Sequence, residues 1–340
     1  MTQPVAGQSV AQPVAQPVAQ PVAGQPVVAE IVRSGFVEGH HYGSVVALDA
    51  SGEVAWSVGD VTVPVLPRSC NKPLQALALV ELGLSLPAEL LALACASHSG
   101  EPFHVEGVRR ILASARLDVS ALQTPADYPL DEAAKEALIR SGGSRAPELM
   151  NCSGKHAAML AVCVLRGWSV SDYLSASHPL QRAVASSFAA STGEPVEAVA
   201  VDGCGAPLLS TSLVGLARGF RSLALASSGP AALVASAIRS HPEYVSGTTR
   251  DELALLRALP GAIGKAGAES CYAVALPDGR AFALKTDDGA ARVRPVLMAA
   301  ALERSGVLAE AWVDASAVRA TGVVPMMGGG VAVGELRACF

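Results

Sequence analysis

Aromatic side chains are scarce in this chain, at 4% of 340 residues, and charged ones supply only 16%. Its 51% hydrophobic content therefore rests on Ala, Val and Leu. That is enough apolar material for one large domain, or for two lobes sharing a core. The formal net charge is -5 and no basic run is interleaved with aromatics. A nucleic-acid partner is therefore not expected, because binding one requires clustered positive charge to displace counterions. No apolar stretch reaches bilayer length without an Arg, Asp, Gly, Ser or Pro, so no membrane span is expected either. The N-terminus lacks the basic start and apolar centre of a signal peptide, which makes the cytoplasm the expected location. The seven cysteines, Cys70, Cys95, Cys152, Cys163, Cys204, Cys271 and Cys339, are odd in number and lie in a long chain. This argues against a disulfide framework and for reduced thiols, several of them small buried hydrophobes.

What is present divides into a tail and a folded region. In residues 1–28 the unit Gln-Pro-Val-Ala recurs at Gln12, Gln16 and Gln20, with relatives at Gln3 and Gln25. Repeated proline without a periodic apolar face predicts an extended or disordered tail. Gly43–Ala50 and Glu53–Val58, around Ser51-Gly52, read as a hairpin. Helical spacing or helix formers then mark Leu74–Leu82, Phe103–Ser114, Asp131–Ser141, Lys155–Arg166, Pro179–Ser191, Ala206–Arg218, Pro230–Ser240 and Arg250–Leu259. Strand signals return at Cys271–Leu276 and Ala281–Lys285, either side of Pro277-Asp278-Gly279-Arg280. Arg292–Ser305 reads as a helix and Val331–Leu336 as a last strand. Strands at both ends and helices between predict an α+β fold: one antiparallel sheet built from the two ends, with a helical lobe inserted.

Lysine is rarer than arginine here, and only Lys72, Lys135, Lys155, Lys265 and Lys285 occur. Lys135 belongs to an ordinary exposed helix, but Lys72, Lys155 and Lys265 sit among Gly, Ser, Cys and Asn. Arg68-Ser69-Cys70-Asn71-Lys72-Pro73 contains Ser-x-x-Lys. On the first turn of a helix that spacing stacks hydroxyl and amine on one face, where a neutral amine can take the serine proton. Pro73 requires the helix to start close by. Cys95-Ala96-Ser97-His98-Ser99-Gly100-Glu101 concentrates polar groups after an apolar helix, and fits a helix C-terminus as well as a site. Asn151-Cys152-Ser153-Gly154-Lys155-His156 and Asp202-Gly203-Cys204-Gly205 could together bind a metal, since thiolates suit zinc. From the residues alone buried thiols are the commoner reading, because no Cys-x-x-Cys is present and lysine is an unusual ligand. Lys265, in Gly261-Ala262-Ile263-Gly264-Lys265-Ala266-Gly267, lacks the spacing of a phosphate loop and precedes a hairpin, at a strand edge facing the helices.

Taken in order, these blocks resemble the asparaginase II family, the Rhizobium etli-type or class 3 L-asparaginases. The resemblance runs from about Glu30 to the C-terminus, giving a 1–28 tail and a 29–340 domain. It implies a fold similar to serine β-lactamases and glutaminases, and hydrolysis of the side-chain amide of L-asparagine. It further implies two Ser–Lys pairs, Ser69–Lys72 and Ser97–Lys265, beside a zinc ion held by Cys152, Lys155 and Cys204. Arg68, His156 and Asp202 match positions near the substrate, and a homodimer is the implied assembly. Gly205-Ala206-Pro207 departs from relatives that carry a larger polar residue there, which leaves glutamine preference open. Two other readings compete. One is a glutaminase-like or penicillin-recognising acyl hydrolase, against which Leu284-Lys285-Thr286-Asp287 lacks the glycine of a Lys-Thr-Gly triad. The other is a non-catalytic, zinc-stabilised amino-acid-binding protein.

Overall fold

The computed structural model describes residues 24–340. Most of the predicted 1–28 tail, residues 1–23, lies outside the described residues. Within the rest, Val27 and Val28 already belong to the first strand.

Ten strands are present among the described residues: β1 (Val27–Arg33), β2 (Phe36–Leu48), β3 (Val54–Val58), β4 (Val199–Val201), β5 (Pro207–Leu209), β6 (Ile263–Ala266), β7 (Tyr272–Ala275), β8 (Ala281–Thr286), β9 (Pro325–Gly328) and β10 (Val331–Ala338). Eight form one sheet in the order β6-β7-β8-β2-β1-β10-β9, with β3 also paired to β2. All its pairings are antiparallel. The two ends of the domain meet where Ile31 of β1 faces Leu336 of β10, as the strand pattern predicts. The long strand β2 makes this possible. Its first half pairs with β1 and its second half with both β3 and β8.

Twelve α-helices complete the described residues. Those between β3 and β6 are α1 (Lys72–Glu81), α2 (Ala88–Ala94), α3 (Pro102–Ser114), α4 (Glu132–Arg140), α5 (Ser153–Arg166), α6 (Pro179–Thr192), α7 (Leu213–Leu225), α8 (Gly229–Ser240), α9 (Pro242–Val245) and α10 (Asp251–Ala258). Two more, α11 (Arg294–Arg304) and α12 (Ala315–Thr321), precede the last hairpin. The expected helical insertion is thus present, interrupted by the small β4–β5 hairpin. α7 and α11 both pack on β8, which is why that strand is buried along nearly its whole length. The hairpin at β2–β3 closes through Asp49, whose carboxylate accepts N–H groups of Ser51 and Gly52.

One predicted helix is misplaced. Ala206–Arg218 begins as strand β5, and the helix α7 starts only at Leu213. Pro207 has no N–H for a helix interior, and the Ser212 side chain caps Gly215 N–H, setting the start later. The helix then runs on to Leu225 because Phe220 and Leu223 continue the buried face. β1 is a largely apolar run, Val-Val-Ala-Glu-Ile-Val-Arg, with no period-two alternation, and the first half of β2 is mostly exposed and mixed, so pattern alone does not reveal them.

Candidate active site

A 3-10 turn at Arg68–Asn71 runs directly into α1 at Lys72, with Pro73 in the tolerated first turn. Arg68 adopts a left-handed backbone conformation, φ 52°, a strained choice for a residue with a Cβ. It is held there by ion pairs from its side chain to Asp202 at 2.9 Å and Glu269 at 3.2 Å. Gly267 presses on the same turn from the end of β6. A Cβ on it would meet Pro67 O at 2.8 Å and the backbone nitrogens of Ser69 and Cys70 at 3.2 Å.

Ser97 lies just past α2, in a loop fastened from three sides. Ser97 N–H donates to Val245 O, His98 N–H to Asn151 O, and Ser99 Oγ to Ser246 O. His98 accepts Gly100 N–H at Nδ1, so its Nε2 carries the proton offered to Ser153 Oγ at 2.8 Å. Asn151 and Cys152 precede α5, whose first turn carries Lys155, and Asp202 and Cys204 sit in the β4–β5 turn.

These segments surround a cavity of about 550 Å³. Arg68, Ser69, Ser97, Cys152, Asp202 and Cys204 all line it, as do Arg250 and Arg294. Lys72, Lys155 and Lys265 stand behind its wall, at most 2% exposed. His156 is also fully buried and does not reach the cavity surface; it bonds Tyr173 Oη through Nδ1 at 2.8 Å, and burial lowers its pKa. It belongs to the support of the site, not to the lining expected of a substrate contact.

The lysines pair differently from the resemblance. Lys72 Nζ donates to Ala96 O at 2.6 Å and to Ser97 Oγ at 2.9 Å. Lys265 Nζ instead donates to Glu252 Oε1 at 2.6 Å and to Ala266 O at 2.7 Å. The expected Ser97–Lys265 pair is therefore replaced by Ser97–Lys72 and Lys265–Glu252. Burial pushes the Lys265 pKa down, and Lys72 and Arg250 add to this against the pull of Glu252. Glu252, 1% exposed, also accepts Ala266 N–H at 2.8 Å and Arg250 Nη2 at 3.0 Å. Burial alone would raise its pKa, but Lys265, Arg250 and Arg294 hold it at about 2. Glu252 is ionised, because three N–H or ammonium contacts to its two oxygens cannot be matched by a neutral carboxyl.

The sulfur cluster is compact. Ligand atoms of Cys152, Asp202 and Cys204 all lie within 4.8 Å of one another. Lys155 Nζ is 3.3 Å from Cys204 Sγ. The hydrogen bond from Cys152 draws the Cys204 pKa well below the thiol range despite burial, and Lys155 helps. Cys152 moves the opposite way, raised by that same bond and by burial. One thiolate and one thiol thus share the site beside an ammonium. The remaining cysteines are free, and all but Cys339 are buried.

Glu252, Arg250 and Arg294 escape sequence reasoning. Arg250-Asp251-Glu252 reads as an ordinary charged helix start, and only the fold turns it toward β6.

Among the described residues no helix is long and apolar enough to cross a membrane. No curated protein sequence matches the chain at a significant level. Among solved structures it is similar to a β-lactamase from Mycobacterium bovis, at 18% identity and a TM-score of 0.43, covering 77% of this chain and 94% of that one. It is also similar to EstCE1, a hydrolase with promiscuous acyltransferase activity, at 14% identity and a TM-score of 0.38, covering 72% of this chain and 88% of that one. Similarity this remote says nothing of substrate or mechanism. The sequence model of L-asparaginase II, by contrast, matches residues 29–338. With nearly its whole length accounted for in this way, the chain belongs to the L-asparaginase II family.

Proposed function

We propose that this hydrolase cleaves the side-chain amide of L-asparagine to L-aspartate and ammonia through a serine activated by a buried lysine. The observation that carries this reading is the 2.9 Å contact between Lys72 Nζ and Ser97 Oγ at the cavity wall, with Ser69 on the same cavity. A primary amide is a poor electrophile and a serine hydroxyl a poor nucleophile at neutral pH, so a base must be supplied. To act as the base, the Lys72 amine keeps one N–H on Ala96 O and presents its lone pair to the Ser97 hydroxyl. Ser97 Oγ bonds to the amide carbon as its proton moves to Lys72. The tetrahedral intermediate then breaks its C–N bond, the nitrogen takes a proton from the Lys72 ammonium, and ammonia leaves. In this scheme Ser69, which lines the same cavity, relays that proton. Water next attacks the aspartyl ester, its proton returning through Lys72 to Ser97 Oγ. In this scheme Lys265 is a fixed cation paired with Glu252 and not a second base.

Zinc suits the donor set of two sulfurs, an amine and a carboxylate gathered at the β4–β5 turn. Cys152, Cys204 and Lys155 would hold it, each deprotonated. Bound there, it would supply positive charge and structural support beside Asp202.

The test is ammonia release from L-asparagine and L-glutamine, beside the colour change of a chromogenic β-lactam as its ring opens, with intact mass measured during turnover. Asparagine is expected to be the best substrate, with an aspartyl adduct on Ser97. Faster β-lactam opening than asparagine hydrolysis would favour a penicillin-recognising hydrolase. Asparagine binding without any ammonia would favour a binding protein.

A further inference from the structure

Three arginines line the cavity, and they are not equivalent. Arg68 is spanned by two carboxylates, Asp202 and Glu269, so its charge is already matched. Arg250, immediately before α10, makes one ion pair, from Nη2 to Glu252 Oε2 at 3.0 Å. That carboxylate is shared with Lys265 and with Ala266 N–H, so it cannot neutralise Arg250 alone. Arg294, the first residue of α11, is 8% exposed. Its Nη2 donates to Asp251 at 3.1 Å and its Nη1 to Gly267 O at 3.3 Å, while its Nε has no partner among the described residues. A guanidinium carries five N–H donors in one plane, and a buried one left unused is costly. The cavity wall at Arg250, Arg294 and Gly267 thus carries cationic donor capacity that the protein itself does not consume.

We infer that Arg250 and Arg294 form the seat for the α-carboxylate of an amino-acid amide, and so set the enzyme's requirement for a free α-acid. The inference rests on the amidase reading above and deepens it. The tethering of each arginine to a neighbouring acidic residue, Glu252 or Asp251, keeps the guanidinium oriented while leaving N–H groups for a carboxylate. Seating that carboxylate also fixes which end of the substrate points away, which orients the side-chain amide in the cavity that Ser97 lines. Arg68 and Asp202 are then left to hold the turn that carries Ser69.

The experiment compares L-asparagine with L-asparaginamide, whose α-carboxylate is replaced by a neutral amide, using the full chain. Binding is followed by calorimetry and turnover by the deamidated product. Wild-type protein is expected to prefer L-asparagine by about 10-fold to 100-fold, the range lost when a charged hydrogen-bond partner is removed. In Arg250→Met and Arg294→Met that preference should shrink toward unity, and Arg294→Lys should restore part of it. A purely structural role would lower both ligands equally and leave the preference intact. Preference unchanged in both folded Met variants overturns the inference. So does a wild-type protein that binds the two ligands equally, a result that needs no variant to fold. Absence of ammonia from L-asparagine with carboxylate preference retained in binding would sink the amidase reading and leave this seat standing. Turnover of both ligands with no preference would do the reverse.

Discussion

Lys72 Nζ reaches Ser97 Oγ, 25 positions away in the chain, and not the hydroxyl of its own Ser-x-x-Lys motif. The helical spacing makes Ser69 and Lys72 neighbours on one turn. The loop after α2 nevertheless brings Ser97 and Ala96 O onto the amine, and these two acceptors fix its direction. This contact makes Ser97 the hydroxyl best placed to lose its proton.

Lys72→Met should therefore lower kcat by about 10²–10⁴-fold, the usual contribution of a positioned general base. Ser97→Ala should also abolish the covalent adduct seen by mass spectrometry, whereas Ser69→Ala should slow turnover and still trap an ester. An adduct on Ser69 in the Ser97→Ala protein would reassign the nucleophile.

Glu252 contributes to acid stability. Its carboxyl sits at about 2 in the folded chain, below the ordinary 4.5, so folding favours the ionised form. Its contribution is complete above pH 4.5 and is lost as the pH falls through 2, on the order of 3 kcal/mol. Glu252→Gln should remove that acid-dependent component. It should also cost about 3–5 kcal/mol at neutral pH, because Lys265 is left buried without its counter-ion. Urea melts from pH 2 to 7 decide this; a variant as stable as wild type at neutral pH would contradict it.

Metal analysis of the purified chain should find about one zinc per chain, and Cys204→Ala should lose it. Affinity should weaken in acid, since protons compete for two thiols and an amine. The direct readout is metal content after dialysis at a series of pH values, independent of activity. Full zinc content in Cys152→Ala,Cys204→Ala would show that the ion lies elsewhere.

Gly267→Ala probes the close packing of the end of β6 on the turn that carries Ser69. Its methyl would press on Pro67 O and on the nitrogens of Ser69 and Cys70. A loss of about 1–3 kcal/mol in stability is expected from the overpacking. The fall in kcat should exceed any change in KM if the turn shifts. Unchanged stability and rate would mean that the turn yields freely.

Much of the architecture was legible because pattern and physics are local. The β2–β3 and β7–β8 hairpins, the last strand and most of the helices between them follow from turn residues and apolar periodicity, whereas β1 does not. The 206–218 segment departs from its helical pattern because a proline and a serine cap outweigh helix formers there. The site blocks were legible as a set, and Ser69, Ser97, Cys152, Asp202 and Cys204 do converge on one cavity. The placement of His156 was not legible: a histidine following Lys155 on α5 can face substrate or core, and only its bond to Tyr173 decides between them.

The chain's chemistry was thus determined by sequence alone: which hydroxyls, amines and thiols exist, and which short turns present them. Their partnerships were decided only by the tertiary structure. Glu252 captures Lys265 and Ser97 meets Lys72 because α10, the loop after α2 and the edge strand β6 are packed together. A lysine far from any partner in sequence takes whichever acceptor the fold brings to its amine, since burial makes an unpaired ammonium too costly to leave.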